Sequence, residues 1–594
     1  MTGSVAPAAA GRLPLRVRAM RRLSAHGLPK PVCSVAVARR IAVPAGDGVP
    51  LLTDHYIPLA DGPRPTLLIR SPYGRGFPFD SLFGARFAGQ GFHVVMQSCR
   101  GTGGSGGRYE PFRNERADGQ AAVAWLRKQD WFSGELATFG PSYLGYVQWA
   151  LATDPPPELR AMVIVNAPAD PYPFFYPGGA FALENTLAGA MGMLAFGRGA
   201  AGFTKAVLRL QRHHRRAERE LPLIDAYPPA LGGRTGFFEQ WLTHPDPADP
   251  YWAELDLRSV LDTVTVPIAL VGGWDDVVLD QTLAHYRALA DRERDVRLLV
   301  GPWTHTSAFD KGWPVVLPDV LHWLRAHLGG EPAGEPQQPV RVYVGGCGQW
   351  RDLPSWPPPQ VRTQSWYAGD AGTLSTEPPA RPGTSSFRYD PADPTPSAGG
   401  PVLSRPAGAV DNKKIESRAD VLVFTSAPLA DALEVLGPVQ VQLHVRGSSP
   451  YFDIFARLCD VDPRGHSRNV CDGLLRHRAV PGSGEATEED GGISTMTVAM
   501  SSAAHRFGAG HRLRLQVCGG AHPRFARNTG TPEPTATATR LVPVDIEVRH
   551  DTAAPCVLSL PTVTEAPPLA APGAQLAGGY GSPKAQMLWS AEPM

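Results

Sequence analysis

Leu136-Ala137-Thr138-Phe139-Gly140-Pro141-Ser142-Tyr143-Leu144-Gly145 reads as strand, sharp turn and helix start in succession. A short apolar run leads into a turn flanked by glycine, and a helix-compatible stretch follows, so the spacing predicts Ser142 at the apex of a strand-to-helix turn. A serine hydroxyl is a weak nucleophile at neutral pH. It needs exposure to the substrate carbonyl, which such a turn supplies, and a base to take its proton. Taken alone, Gly-x-Ser is a common turn in a chain with 63 glycines.

Two later segments give the turn its meaning. Ile268 to Val271 is strand-like and leads into Gly272-Gly273-Trp274-Asp275-Asp276, and Val296 to Val300 leads into Gly301-Pro302-Trp303-Thr304-His305. Serine, aspartate and histidine therefore each follow a predicted strand, in the chain order used by α/β-hydrolases. At this level Asp275 and Asp276 both remain candidates for the acid.

The 594 residues allow about three to four domains. From 37 to 170 short apolar runs alternate with helical patterns, as in a parallel α/β layer, with Thr66 to Ile69 and His93 to Met96 the clearest strands. Residues 171–254 break the pattern: an aromatic, proline-rich opening (Pro171 to Pro177) precedes a charged helical stretch, Lys205 to Leu223. An insertion there is placed to roof the site as a lid. Its Phe174, Phe175 and Tyr176 either line an acyl pocket or pack the lid. The α/β pattern resumes over 255–335. From 336 to 594 short β-rich segments separated by turn residues predict a β-sandwich or jelly roll, with Gly369 to Ala409 a long connection across it. Residues 1–36 are basic and read as a flexible N-terminal arm rather than a targeting peptide, because no apolar stretch of a secretory signal is present.

Composition bounds the partners. Lys plus Arg (57) balances Asp plus Glu (56), so no net field favours nucleic acid or an anionic membrane. The most apolar stretch, Gly178 to Phe203, is interrupted by Glu184 and Arg198, and no membrane span is expected. Seven scattered cysteines without a C-x-x-C pair read as reduced core thiols of a cytoplasmic protein. His213-His214 lies in a helical run where neighbours point to different faces, so no metal site is expected. Gly101 to Gly107 lacks the Gly-Lys-Ser/Thr ending of a phosphate cradle and reads as a loop at the active-site rim.

Several segments together resemble the acyl esterase and acylase family that includes cocaine esterase and α-amino-acid ester hydrolases and is related to X-prolyl dipeptidyl peptidases. They are Arg70-Ser71-Pro72-Tyr73-Gly74-Arg75, Gln97 to Gly107, Gly140 to Gly145, Gly273-Trp274-Asp275-Asp276, Gly301 to His305, Trp350-Arg351-Asp352-Leu353-Pro354 and Asp472-Gly473-Leu474-Leu475-Arg476. The likeness spans nearly the whole chain after about residue 36. It implies an α/β-hydrolase core with an inserted helical lid and a C-terminal jelly roll. By the same resemblance the nucleophile is Ser142, the base His305 and the acid Asp276, while the oxyanion hole is the Tyr73 hydroxyl with the backbone N–H of Tyr143. Where the family often reads Trp-Tyr-Asp this chain has Trp274-Asp275-Asp276, and Ser98 stands where the family usually has aspartate, which bears on any ion pair to Arg100. Leu144 occupies the second glycine position of a strict G-x-S-x-G.

The expected chemistry is acyl transfer to water from a small-molecule ester or amide, with no cofactor. An X-prolyl dipeptidyl-peptidase-type aminopeptidase is the alternative and requires a carboxylate anchor for the substrate amine, a role open to Asp275. A non-catalytic jelly-roll binding protein would carry a degraded triad, which this chain does not. Natural substrate and oligomeric state are not encoded in these motifs.

Overall fold

The computed structural model describes residues 10–23, 26–196, 199–328, 338–404, 406–477 and 492–563. Residues 1–9 of the expected arm, the expected boundary at 335/336 and the C-terminal stretch 564–594 lie outside these.

Eleven strands among the described residues form the first sheet: β1 (Gly11–Arg12), β2 (Ser34–Pro44), β3 (Pro50–Leu59), β4 (Thr66–Ser71), β5 (His93–Ser98), β6 (Leu136–Pro141), β7 (Leu159–Val165), β8 (Ile268–Asp275), β9 (Val296–Thr304), β10 (Val340–Val344) and β11 (Gln349–Leu353). Their order is β1-β2-β3-β5-β4-β6-β7-β8-β9-β10-β11, parallel from β5 to β10. The central strands are apolar on both faces because helices cover both. Leu67, Ile69, Ala137, Phe139, Val163 and Val165 face the helices Leu15–Leu23 and Trp313–His327. The alternate residues Leu68, Leu136, Met162 and Ile164 face Glu115–Leu126, Tyr143–Ala152 and Leu279–Ala290. The period of two in side-chain direction thus splits one continuous apolar run between two cores.

The helices between β7 and β8, where a lid is expected, pack in one cluster with Cys99, Phe112, Tyr143, Tyr146 and Val147 of the α/β layer. Phe175 stacks on Trp241 with centroids 4.3 Å apart, and the buried Tyr176 donates its hydroxyl to the Trp241 carbonyl at 2.8 Å. These two aromatics pack the lid rather than line an open pocket. Beyond Arg362, eleven described strands make the β-rich C-terminal domain, whose core includes Val441, Leu443, Ile454, Leu458, Val517 and Ile546.

Three expectations need correction. The segment expected to be a flexible arm is ordered over 10–23: β1 pairs antiparallel with β2, Leu13 and Val17 are buried, and Arg16 donates to Asp80 at 2.6 Å. Its buried residues are few, Leu13 just before the helix and Val17 within it, and the surrounding arginines hide them in a composition count. The first two strands of the expected β domain join the first sheet instead: β10 pairs in parallel with β9 (Val340 opposite Leu298) and β11 returns beside it. Alternating Val340, Val342 and Val344 announce a strand, but strand periodicity carries no information about which sheet it joins. The expected connection Gly369 to Ala409 contains two strands, Thr373–Ser375, paired with Arg362–Gly369 and Val421–Ser426, and Gly383–Tyr389, paired with Val544–His550. The rest of it brings Gly400 and Gly408 together as an antiparallel bridge at the domain interface.

Candidate active site

Ser142 adopts φ +56° and ψ −126° between β6 and the helix Tyr143–Ala152. A non-glycine residue there stores about 1–3 kcal/mol of strain, tolerated only where neighbours enforce it. The Ser142 N–H donates to the Val165 carbonyl at 2.9 Å, and the Ser142 carbonyl accepts from Gly145 N–H at 2.8 Å. Close packing fixes the flanking glycines. A Cβ at Gly140 would sit 2.3 Å from the Leu144 Cβ, and one at Gly145 2.2 Å from the Ala167 Cβ. Leu144, at the position where a stricter motif has glycine, is fully buried.

Asp276 and His305 follow β8 and β9. Nδ1 of His305 lies 2.8 Å from Oδ2 of Asp276, whose Oδ1 accepts the Val278 N–H at 2.8 Å. The Asp276 side chain is wholly buried, and that of His305 is 13% exposed, so a fully shielded carboxylate holds a partly exposed imidazole. A proton held on Nδ1 by the carboxylate leaves Nε2 free to accept another. The His305 carbonyl accepts from the Asn166 side chain at 3.2 Å, and Asn166 follows Val165 at the end of β7. Serine turn and histidine loop are thus tied to the same strand end. Among the described residues no hydrogen bond joins His305 to Ser142 Oγ. Such contacts are often long before substrate binds.

Asp275 goes elsewhere. It pairs with Thr304 across β8 and β9, and its carboxyl lies against the Gly408 backbone, 3.4 Å from where a Cβ on that glycine would stand. Burial, followed by the nearby Asp472 carboxylate, pushes its pKa up to about 7 despite Arg457. Of the two adjacent carboxylates, the structure brings Asp276 to the imidazole.

The Tyr73 hydroxyl is 3.5 Å from Ser142 Oγ. Burial raises its pKa, while Ser142 and the backbone amide of Tyr143 act on the same oxygen in the opposite direction. Tyr73 is held by its N–H to Ser71 Oγ at 3.0 Å and by ring contacts to Phe79 and Phe196 at 6.0 and 5.4 Å. Ser142 Oγ, Tyr73 Oη and the Tyr143 amide therefore converge, a geometry able to meet charge developing on one oxygen.

The glycine-rich loop Gly101 to Gly107 packs on polar side chains. Arg75 donates to Ser98 Oγ at 2.5 Å and to the Gly103 carbonyl at 3.2 Å. Arg100 does not use Ser98, pairing instead with Asp118 at 2.7 Å and Asp47 at 2.6 Å. Two functional candidates carried no spacing signal at all. Asn166 reads as a strand-end residue and Glu115 as an ordinary first-turn helical glutamate, yet both reach the site. Among the described residues no cluster of three or more His, Cys, Asp or Glu side chains is suited to a metal ion, and no helix is long and apolar enough to cross a membrane.

Residues 47–307 match the X-Pro dipeptidyl-peptidase (S15 family) model, and residues 333–555 match the X-Pro dipeptidyl-peptidase C-terminal non-catalytic domain. Cocaine esterase from Rhodococcus sp. (strain MB1 Bresler) is 33% identical over 543 residues, covering 84% of this chain and 93% of that protein. An aminopeptidase from the marine sediment archaeon Thaumarchaeota archaeon shares the fold with a TM-score of 0.75 at 21% identity, over 89% of this chain and 97% of that one. An α-amino acid ester hydrolase does so with a TM-score of 0.74 at 21% identity, over 89% and 96%. With its strained serine turn and its match to cocaine esterase along most of its length, the chain belongs to the S15 family of serine hydrolases.

Proposed function

We propose that the protein hydrolyses a small carboxylic ester or acyl amide through an acyl-enzyme on Ser142. His305 Nε2 takes the Ser142 proton as Oγ attacks the carbonyl. Asp276 orients the ring and supports its positive charge. The tetrahedral oxyanion is met by the Tyr73 hydroxyl and the Tyr143 N–H. Collapse of the intermediate expels the alcohol or amine, which receives the proton from His305. Water then repeats the sequence, and every step uses groups of this chain.

The observation that carries this reading is the 2.8 Å contact between His305 and Asp276 beside the strained serine turn. Esterase chemistry is favoured because the relative matched over most of the chain is an esterase. The aminopeptidase reading needs a carboxylate aimed at the substrate amine, and Asp275 lies instead against the C-terminal domain. Seven free thiols, five of them buried, support placing the protein in a reducing compartment such as the cytoplasm.

Comparing turnover of a short-chain aryl ester with that of an Ala-Pro arylamide tests the substrate class. The ester is expected to be the better substrate, and the reverse preference would assign the aminopeptidase role. A fluorophosphonate probe is expected to label the wild type and not Ser142→Ala, whose ester turnover falls by up to about 10⁶-fold. Labelling that persists at another serine removes Ser142 from the mechanism.

A further inference from the structure

The two oxyanion donors of the proposed mechanism come from different strands, Tyr73 from the turn after β4 and Tyr143 from the turn after β6. Tyr143 is the first residue of its helix, where backbone N–H groups have no intrahelical acceptor and the helix ladder does little to fix their direction. Its phenol is tethered instead. The hydroxyl donates to Glu115 Oε1 at 2.8 Å and accepts the Phe112 N–H at 2.6 Å. Phe112 stacks on the Tyr143 ring at 4.7 Å and holds φ +73°, a conformation that bulky residues rarely adopt. Burial, then the Glu115 carboxylate, raises the pKa of this phenol well above its ordinary value, so it stays a donor.

Glu115 is itself buried and faces the other strand. Its Oε2 is 3.0 Å from Arg70 Nη2 as a close ion pair, and its carbonyl accepts Arg70 Nη1 at 2.7 Å. Arg70 stands on β4, three residues before Tyr73, and is also held by Gln97 Oε1 at 3.0 Å and by Asp118 at 3.9 Å. One buried bridge, Tyr143 to Glu115 to Arg70, therefore joins the two strand ends that present the two donors. A buried carboxylate with partners on both sides is a stiff link, because moving either partner leaves charge unpaired.

We infer that Glu115 is a positioning residue: through the Tyr143 phenol and Arg70 it fixes the Tyr143 N–H relative to the Tyr73 hydroxyl and so sets the geometry of the oxyanion hole. This rests on the oxyanion reading given above. Donors aimed in advance at the developing charge act mainly in the transition state, so loosening them lowers kcat more than it changes KM.

Tyr143→Phe is the direct test, since it keeps the backbone N–H and the ring but deletes the tethering hydroxyl. Turnover of a short-chain aryl ester is expected to show kcat down about tenfold and KM within about twofold. Glu115→Gln keeps shape and an acceptor while removing the charge, and is expected to lower kcat by a few fold at unchanged KM, less than Tyr143→Phe. Thermal unfolding is measured for both. Normal kcat with a lower Tm in the folded variants would make the bridge purely structural and overturn the inference. Tyr73→Phe, run alongside, separates the two failures. If it loses activity while Tyr143→Phe does not, only the positioning role falls; if it too keeps full kcat, the oxyanion reading falls first.

Discussion

His305 and Asp276 face each other at 2.8 Å, while Asp275, one residue earlier on the same strand end, turns its carboxyl to Gly408 of the C-terminal domain. Adjacent residues leaving a strand point in opposite directions, so only one of the two can serve the imidazole. Asp276→Asn is expected to lower kcat on an aryl ester by on the order of 10⁴-fold, because an amide opposite Nδ1 no longer favours the productive tautomer. Asp275→Asn is expected to stay within about tenfold of wild type. Steady-state kinetics of the two variants check the pair, and the opposite ranking would move the acid role to Asp275.

Gly145 tests the packing behind the serine turn. An alanine there would bring its methyl within 2.2 Å of the Ala167 Cβ and 3.0 Å of Ile164, on either side of Val165, whose carbonyl accepts the Ser142 N–H, and of Asn166. The helix has to retreat from the sheet. Gly145→Ala is expected to cost about 1–3 kcal/mol of stability by overpacking and to reduce activity by displacing the turn. Adding Ala167→Gly empties the space the methyl needs, so the double variant is expected to recover a large part of both. Chemical denaturation and kcat measured on the single and double variants decide; additive losses would mean that this contact does not set the helix position.

The Asp275 carboxyl gives stability a pH signature. Its pKa is raised from 3.8 to about 7 in the folded chain, first by burial and then by Asp472. Between about pH 4 and 7 the folded state keeps a proton that the unfolded state has released, so this residue's contribution falls as pH rises through that window and levels off above it. Asp275→Asn has no such proton to lose. It is expected to match wild type near pH 4 and to exceed it at pH 8 by about 1–3 kcal/mol, less than the whole shift because the carboxyl keeps some solvent contact. Thermal unfolding of both proteins at the two pH values tests this, and a stability difference independent of pH would contradict it.

The fold and the chemistry were legible in the sequence to different depths. Leu136 to Phe139, Ile268 to Val271 and Val296 to Val300 announced themselves as strands because parallel strands buried on both faces are short unbroken apolar runs. Ser142, the aspartate pair and His305 were visible because each directly follows such a run. Sheet membership was not visible, since Val340 to Val344 alternates alike whether it closes the first sheet or opens the second domain. Choosing between Asp275 and Asp276 required the direction of the chain as it leaves β8. Asn166 and Glu115 were hidden for a different reason: each acts over a large sequence separation, reaching His305 and Tyr143 through contacts that local spacing does not encode.

Tyr73 is the residue whose role rests most on resemblance, and its geometry makes that role separable from packing. The ring clusters with Phe79 and Phe196, contacts that phenylalanine reproduces, and the hydroxyl makes only a long 3.5 Å approach to the Ser142 side chain. Removing that hydroxyl from the resting enzyme gives up little, because a contact of that length contributes little to stability. In the transition state the same hydroxyl faces an oxygen that has become negative, where one donor is worth about 10²- to 10³-fold in rate. Tyr73→Phe is therefore expected to lower kcat by that factor, with KM within about threefold and Tm within about two degrees of wild type. A tyrosine that only packs would give the opposite pattern of normal kcat with a shifted Tm. Measuring kcat, KM and thermal unfolding on one preparation distinguishes the two, and near-normal kcat would assign the oxyanion hole to other donors.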